Sequence, residues 1–181
     1  LVPAANVVME PEMARMIPDG VSIHASRLAL AGAYSDKSAG VMVASVAQAA
    51  ALLRMTDPSV MVFGCTSSSF LEDEQEIRRK IEEVTGAPAI TSSGAILQGL
   101  RCLGVQRLAV ATPYPGFVND EEKRWLESEG FNVVDIQGLD LGKNEYELRL
   151  IGRQPPQVAY ALALRAARCS PEAVFISCGN F

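Results

Sequence analysis

Short apolar runs alternate along the chain with longer stretches of mixed polarity. The runs at 60–63, 89–91, 107–112, 132–136 and 173–177 are rich in Val, Ile, Ala and Phe and predict buried strands. Residues 1–3 read as the end of another strand, and 21–28 alternate well enough for one more. Helices are predicted between them over 7–16, 36–55, 71–84, 94–103, 120–130 and 155–169. Their starts carry recognisable signals: Glu10 and Glu12 in the first, Ser35 or Asp36 capping the second, Asn119 capping the fifth and Pro155 opening the last. Gly104 stands where a C′ glycine is expected. Residues 138–154 show no clear period and read as an irregular, partly polar connection.

Strands alternating with helices predict an α/β fold whose parallel sheet is covered on both faces. Right-handed crossovers then collect the loops that follow the strands along one edge, where open α/β sheets bind ligands. Asn6, Cys65-Thr66-Ser67, Ser92-Ser93, Tyr114 and Cys178-Gly179-Asn180 all fall in such loops. Polar and thiol groups far apart in sequence therefore converge.

Two of these loops echo each other. Pro58 precedes an apolar strand that ends in Gly64-Cys65-Thr66-Ser67, and Pro171 precedes one that ends in Ser177-Cys178-Gly179-Asn180. Proline and cysteine recur at the same offset of 113, from 58 to 171 and from 65 to 178. Residues 2–6 resemble 111–115 in the same way, so the chain reads as two similar halves, each delivering one strand-end cysteine. A thiol between a strand end and a helix start faces free backbone N–H groups and the positive end of the dipole, which favour thiolate.

Composition narrows the function. The 181 residues suit one domain or two small lobes, and 49% apolar content can build a sizeable core. A net charge of −5 without any Lys/Arg cluster gives no footprint for nucleic acid. No apolar run approaches the roughly 20 residues of a membrane span. Four cysteines without a CxxC pair make neither a disulfide scaffold nor, with His24 as the one histidine, a zinc site. A reducing, cytoplasmic setting is the expectation. His24 reads as a satisfied polar side chain on a strand, Cys102 and Cys169 as core residues, and 72–83 as a solvated helix face. A chain that begins inside a strand and stops just past the last one is expected to lack terminal segments.

These residues resemble the aspartate/glutamate racemase superfamily, and within it the maleate cis-trans isomerase and arylmalonate decarboxylase branch. The resemblance spans nearly the whole chain. It is carried by Val2-Pro3-Ala4-Ala5-Asn6-Val7-Val8-Met9-Glu10, by 92–105, by Arg107 to Tyr114, and by Gly64-Cys65-Thr66-Ser67 and Ser177-Cys178-Gly179. It implies two pseudo-symmetric flavodoxin-like lobes with parallel sheets, interleaved over residues 1–181, with the active site in the cleft between them. By resemblance Cys65 and Cys178 are the catalytic pair. Asn6, Thr66, Ser67, Tyr114, Asn144, Gly179 and Asn180 are the implied contacts to substrate carboxylates. Decarboxylases of the branch keep only the second cysteine, so the presence of both favours a two-thiol chemistry. The opening Val-Met-Glu-Pro-Glu and the Gly142-Lys143-Asn144 loop tilt the choice to maleate isomerisation. The expected mechanism needs no metal or organic cofactor, takes a small carboxylic acid as substrate, and sits on a homodimer. A two-thiol amino-acid or hydantoin racemase, a malonate-type decarboxylase and a non-catalytic small-acid binding domain remain as alternatives.

Overall fold

In the computed structural model the described residues run from Leu1 to Phe181, the side chains of Asp36, Lys37 and Ala39 excepted. Strand β1 (Val2–Pro3) is followed by helix α1 (Met9–Met16), and β2 (Arg27–Leu28) by α2 (Asp36–Arg54). Strand β3 (Met61–Phe63) leads into α3 (Thr66–Leu71) and α4 (Glu74–Thr85), and β4 (Ala89–Thr91) into α5 (Ser92–Cys102). Strand β5 (Arg107–Thr112) precedes α6 (Gly116–Ser128), β6 (Asn132–Gly138) precedes α7 (Glu145–Ile151) and α8 (Pro156–Ala166), and β7 (Ala173–Ile176) comes last. The fold class is α/β, and each strand pair is parallel.

The strands form two lobes with matching order. In the second lobe β5 lies between β6 and β7. In the first, β1 pairs with β2, β3 pairs with β4, and backbone bonds from Leu1 N to Val62 O (2.7 Å) and from Gly64 N to Leu1 O (2.8 Å) join β1 to β3. The order β2-β1-β3 thus repeats as β6-β5-β7. The bond that Gly64 N makes to Leu1 O recurs as Ser177 N to Ala111 O, also 2.8 Å. Equivalent bonds fix the backbone just ahead of the two cysteines, Cys65 and Cys178, so the 113-residue echo has a structural basis.

Each lobe has its own core. Val46, Ala50, Phe63, Ile77 and Ile81 are wholly buried in the first, and Leu108, Val110 and Leu126 in the second. Each of these Val, Leu, Ile and Phe side chains contributes roughly 1.5–3 kcal/mol through burial. The strand tips are therefore anchored from below while their loops remain free to shape a cleft. Among the described residues no helix is long and apolar enough to cross a membrane.

Several expectations need correction. Only Arg27–Leu28 of 21–28 forms a strand, because β1 offers just two residues to pair with; Val21 and Ile23 stay exposed. His24 lies in that exposed stretch, its Nε2 3.2 Å from Ser22 Oγ. The helix expected over 71–84 is two helices, because the Asp73 carboxylate accepts from Gln75 N and Glu76 N and caps a fresh start. Helix α6 begins at Gly116 rather than 120: Asn119 does not cap it but accepts from Thr112 Oγ1 (2.6 Å) and donates to Tyr114 O. The supposedly irregular 138–154 contains α7, which buries Leu148 and Ile151. The core reading of two cysteines also fails. Cys102 is exposed, and Cys169 is half-buried with its thiol donating to Ala166 O.

Candidate active site

The two strand tips meet across a cleft of about 60 Å³, measured as the space open to the centre of a water-sized sphere. One water needs roughly 10–15 Å³ on that measure, so the cleft suits a small acid rather than a nucleotide. Cys65, Thr66, Ser67, Tyr114, Cys178, Gly179, Asn180 and Asn6 line it, and none of the described lining residues carries a formal charge as Lys, Arg, Asp or Glu.

Cys65 comes from the first lobe. Phe63 ends β3 fully buried, and Gly64 then passes so close to Met9 that a Cβ there would lie 2.7 Å from its terminal methyl. Cys65 is the N-cap of α3 in extended geometry, and its Sγ lies 3.7 Å from Ser67 Oγ. Thr66, Ser67, Ser68 and Ser69 are all buried. Ser69 explains one of those burials: its Oγ accepts from Ser93 N and its carbonyl from Ser93 Oγ, both at 3.0 Å, which pins α3 to α5.

Cys178 comes from the second lobe and is held differently. Its φ is +93°, a region costing a side-chain-bearing residue on the order of 1–3 kcal/mol. Burial pushes its thiol up to about 12, and the neighbouring Cys65 and Glu122 add to the rise. The Asn180 backbone N–H and the Tyr114 hydroxyl, both reaching the sulfur, pull the other way. The net effect leaves Cys178 protonated at neutral pH, a condition suited to donating a proton.

Tyr114 is buried, and its backbone N–H donates to Thr112 Oγ1 at the end of β5. Its ring meets the edge of Tyr34 with centroids 5.5 Å apart at 78°. Burial holds both phenols well above their ordinary value, so both are hydroxyl donors. The Tyr34 hydroxyl bonds Ser67 and senses both cysteines. Sequence reasoning missed Tyr34. The available signal was its place in the loop after β2, on the ligand-binding edge. Its seat depends on Gly142, whose φ is +103° and whose carbonyl accepts from Tyr34 N at 2.9 Å. A Cβ on Gly142 would collide with the Tyr34 ring.

The asparagines divide into two kinds. Asn6 donates from Nδ2 to Gly179 O (3.2 Å), while its Oδ1 accepts from Val8 N and Met9 N. Asn180 returns the contact, accepting from Val7 N at 2.9 Å. They latch the β1 loop to the β7 loop and leave Asn6 one free amide hydrogen. Asn144 is elsewhere: it is exposed, does not line the cleft, and caps α7 by accepting from Glu147 N at 3.0 Å. The resemblance-based assignment of Asn144 to substrate carboxylates therefore finds its amide engaged at a helix start.

The arrangement is two thiols on opposing strand tips, ringed by hydroxyl and N–H donors. A family model described as arylmalonate decarboxylase matches residues 1–181. The chain belongs to the arylmalonate decarboxylase family. That places it in the aspartate/glutamate racemase superfamily. It is 29% identical over 185 residues to the arylmalonate decarboxylase of Bordetella bronchiseptica, covering 99% of this chain and 75% of that protein. It is 27% identical over 192 residues to the maleate isomerase of Nocardia farcinica, covering 98% and 74%. A solved mutant of the Nocardia isomerase with a covalently bound succinylcysteine intermediate superposes with a TM-score of 0.85 at 23% identity, over 99% of this chain and 76% of that one. The chain spans about three quarters of the length of these relatives.

Proposed function

We propose that the protein is a cofactor-independent cis-trans isomerase that converts maleate to fumarate. One observation carries the reading: equivalent strand tips of two lobes present Cys65 and Cys178 to one small cleft. By the family resemblance a decarboxylase of the branch keeps one thiol, whereas a two-thiol site has a use for both.

In this reading the Cys65 sulfur, as thiolate, adds to one alkene carbon. The π pair moves to the neighbouring carbon and is delocalised into its carboxylate. The Cys178 S–H delivers its proton to that carbon, giving a succinyl thioether in which the former double bond rotates freely. Cys178 then removes a proton from the same carbon, the C–S bond breaks with its pair returning to Cys65, and fumarate leaves. Proton and electron pair end where they began. The two carboxylates are held by neutral donors: N–H and hydroxyl groups at Thr66 and Ser67, the Tyr114 hydroxyl, N–H groups at Gly179 and Asn180, and the remaining amide hydrogen of Asn6. The succinylcysteine of the Nocardia isomerase has the composition expected of the intermediate and supports this route.

Proton NMR of the protein with maleate in D₂O, and with aspartate, glutamate and an arylmalonate in parallel, tests the reading. Fumarate formed without added cofactor is the expected result. Deuterium entering the α-position of an amino acid transfers the assignment to a racemase, and loss of CO₂ from the arylmalonate to a decarboxylase.

A further inference from the structure

Behind Cys178 lies a carboxyl group that the isomerisation does not use. Glu122, on α6, is completely buried. Its Oε1 accepts from the hydroxyl of Ser177, which is also completely buried and directly precedes Cys178. Its Oε2 has no hydrogen-bond partner among the described residues, and no cation offsets its charge. An isolated carboxylate is costly to bury, so the group stays neutral until the pH is high enough to force it.

Resting on the reading of Cys178 as the acid and base of the isomerisation, we propose that Glu122 is a positioning residue for Cys178. Through the Ser177 hydroxyl the neutral carboxyl fixes the second strand tip, and its ionisation places a negative charge behind the thiol that opposes both thiolate formation and dianion binding.

The surroundings isolate this effect. Cys178, Tyr114 and Tyr34 are the groups whose protons are held more tightly by charge on Glu122, and both phenols stay protonated throughout. Helix α3, packed against α6, carries no ionisable side chain. Asp135 on the adjacent β6 is engaged with Gln137 Nε2. On α6 itself Asp120 is exposed, while Glu121 pairs with Arg124 and Glu127 with Lys123 at the surface. Burial lifts Glu122 from 4.5 to about 7 and the Ser177 hydroxyl bond lowers it, which puts the switch near neutrality.

The test is the rate of Cys178 alkylation by iodoacetamide, read by site-resolved mass spectrometry on either side of pH 7. Wild type and Glu122→Gln are expected to react alike below that pH. Above it the variant reacts faster, by about tenfold for each unit by which charge on Glu122 raises the thiol pKa. Ser177→Ala removes the hydroxyl that favours the carboxylate, so its divergence from Glu122→Gln moves to higher pH. Equal rates at every pH, or an offset that does not change with pH, overturn the assignment. Alkylation needs no turnover, so failure of maleate to isomerise would sink the proposed function without touching this result.

Discussion

At the tip of β3 the residue before the cysteine is Gly64, whose missing side chain lets Met9 close in; at the tip of β7 it is Ser177, whose hydroxyl reaches Glu122. Cys65 then takes an ordinary extended φ of −127° and starts a helix walled by hydroxyls, while Cys178 takes φ +93° against Tyr114 and the Asn180 N–H. The strands beneath are equivalent, down to matching 2.8 Å bonds. The repeat therefore places two thiols, and the residues that differ around each give them unlike tasks. Symmetry supplies position; asymmetry supplies chemistry.

The largest way to break the comparison is to remove either thiol. Cys65→Ser should abolish isomerisation, because no nucleophile remains. Cys178→Ser should lower turnover roughly 10²–10⁴-fold, the usual share of a positioned acid. NMR turnover checks both. Intact mass spectrometry with maleate should show one added maleate on Cys178→Ser and none on Cys65→Ser.

Next in size is the carboxyl behind the second tip. Between pH 4.5 and about 7 the folded chain keeps a proton on Glu122 that the unfolded chain has lost. This group's contribution to stability is therefore full below that window, falls as pH rises through it, and is flat above. The total loss is about 3 kcal/mol. Denaturant titrations should show wild type losing stability relative to Glu122→Gln from pH 5 to 8, with most of the change inside the window.

Tyr114→Phe sharpens the contrast at the sulfur, since it removes a donor from Cys178 and none from Cys65. Turnover should fall about tenfold, the worth of one hydrogen bond to a reacting group, with little effect on stability. The smallest expected effect is at Asn144. As a cap, Asn144→Ala should destabilise the protein by about 1 kcal/mol and leave kcat/KM within about twofold. A large rise in KM instead would restore it to the substrate.

Much of this was legible in the chain. The paired strand tips, with Cys65, Thr66, Ser67, Cys178, Gly179 and Asn180 at the cleft, followed from apolar runs ending in Gly-Cys-Thr-Ser and Ser-Cys-Gly-Asn, and Asn6 and Tyr114 from the loops after two further strands. Strand β5 showed clearly because its run is long, whereas 21–28 alternates without a partner strand long enough to use it. Helix α7 hid because seven residues show barely two turns of period, although Asn144 followed by Glu145 and Glu147 is a usable start signal. Tyr34 and Glu122 were invisible for another reason. Their significance arises from tertiary contacts, with Ser67 and Gly142 for one and Ser177 for the other, which no local pattern encodes.

The most direct test of two tips serving one substrate is protection against alkylation. Cys65, Cys178 and the exposed Cys102 would be followed in one digest while maleate is titrated. The account predicts that Cys65 and Cys178 are protected in parallel on a single saturation curve, with Cys102 unaffected. Protection of one thiol alone, or of neither, would contradict it.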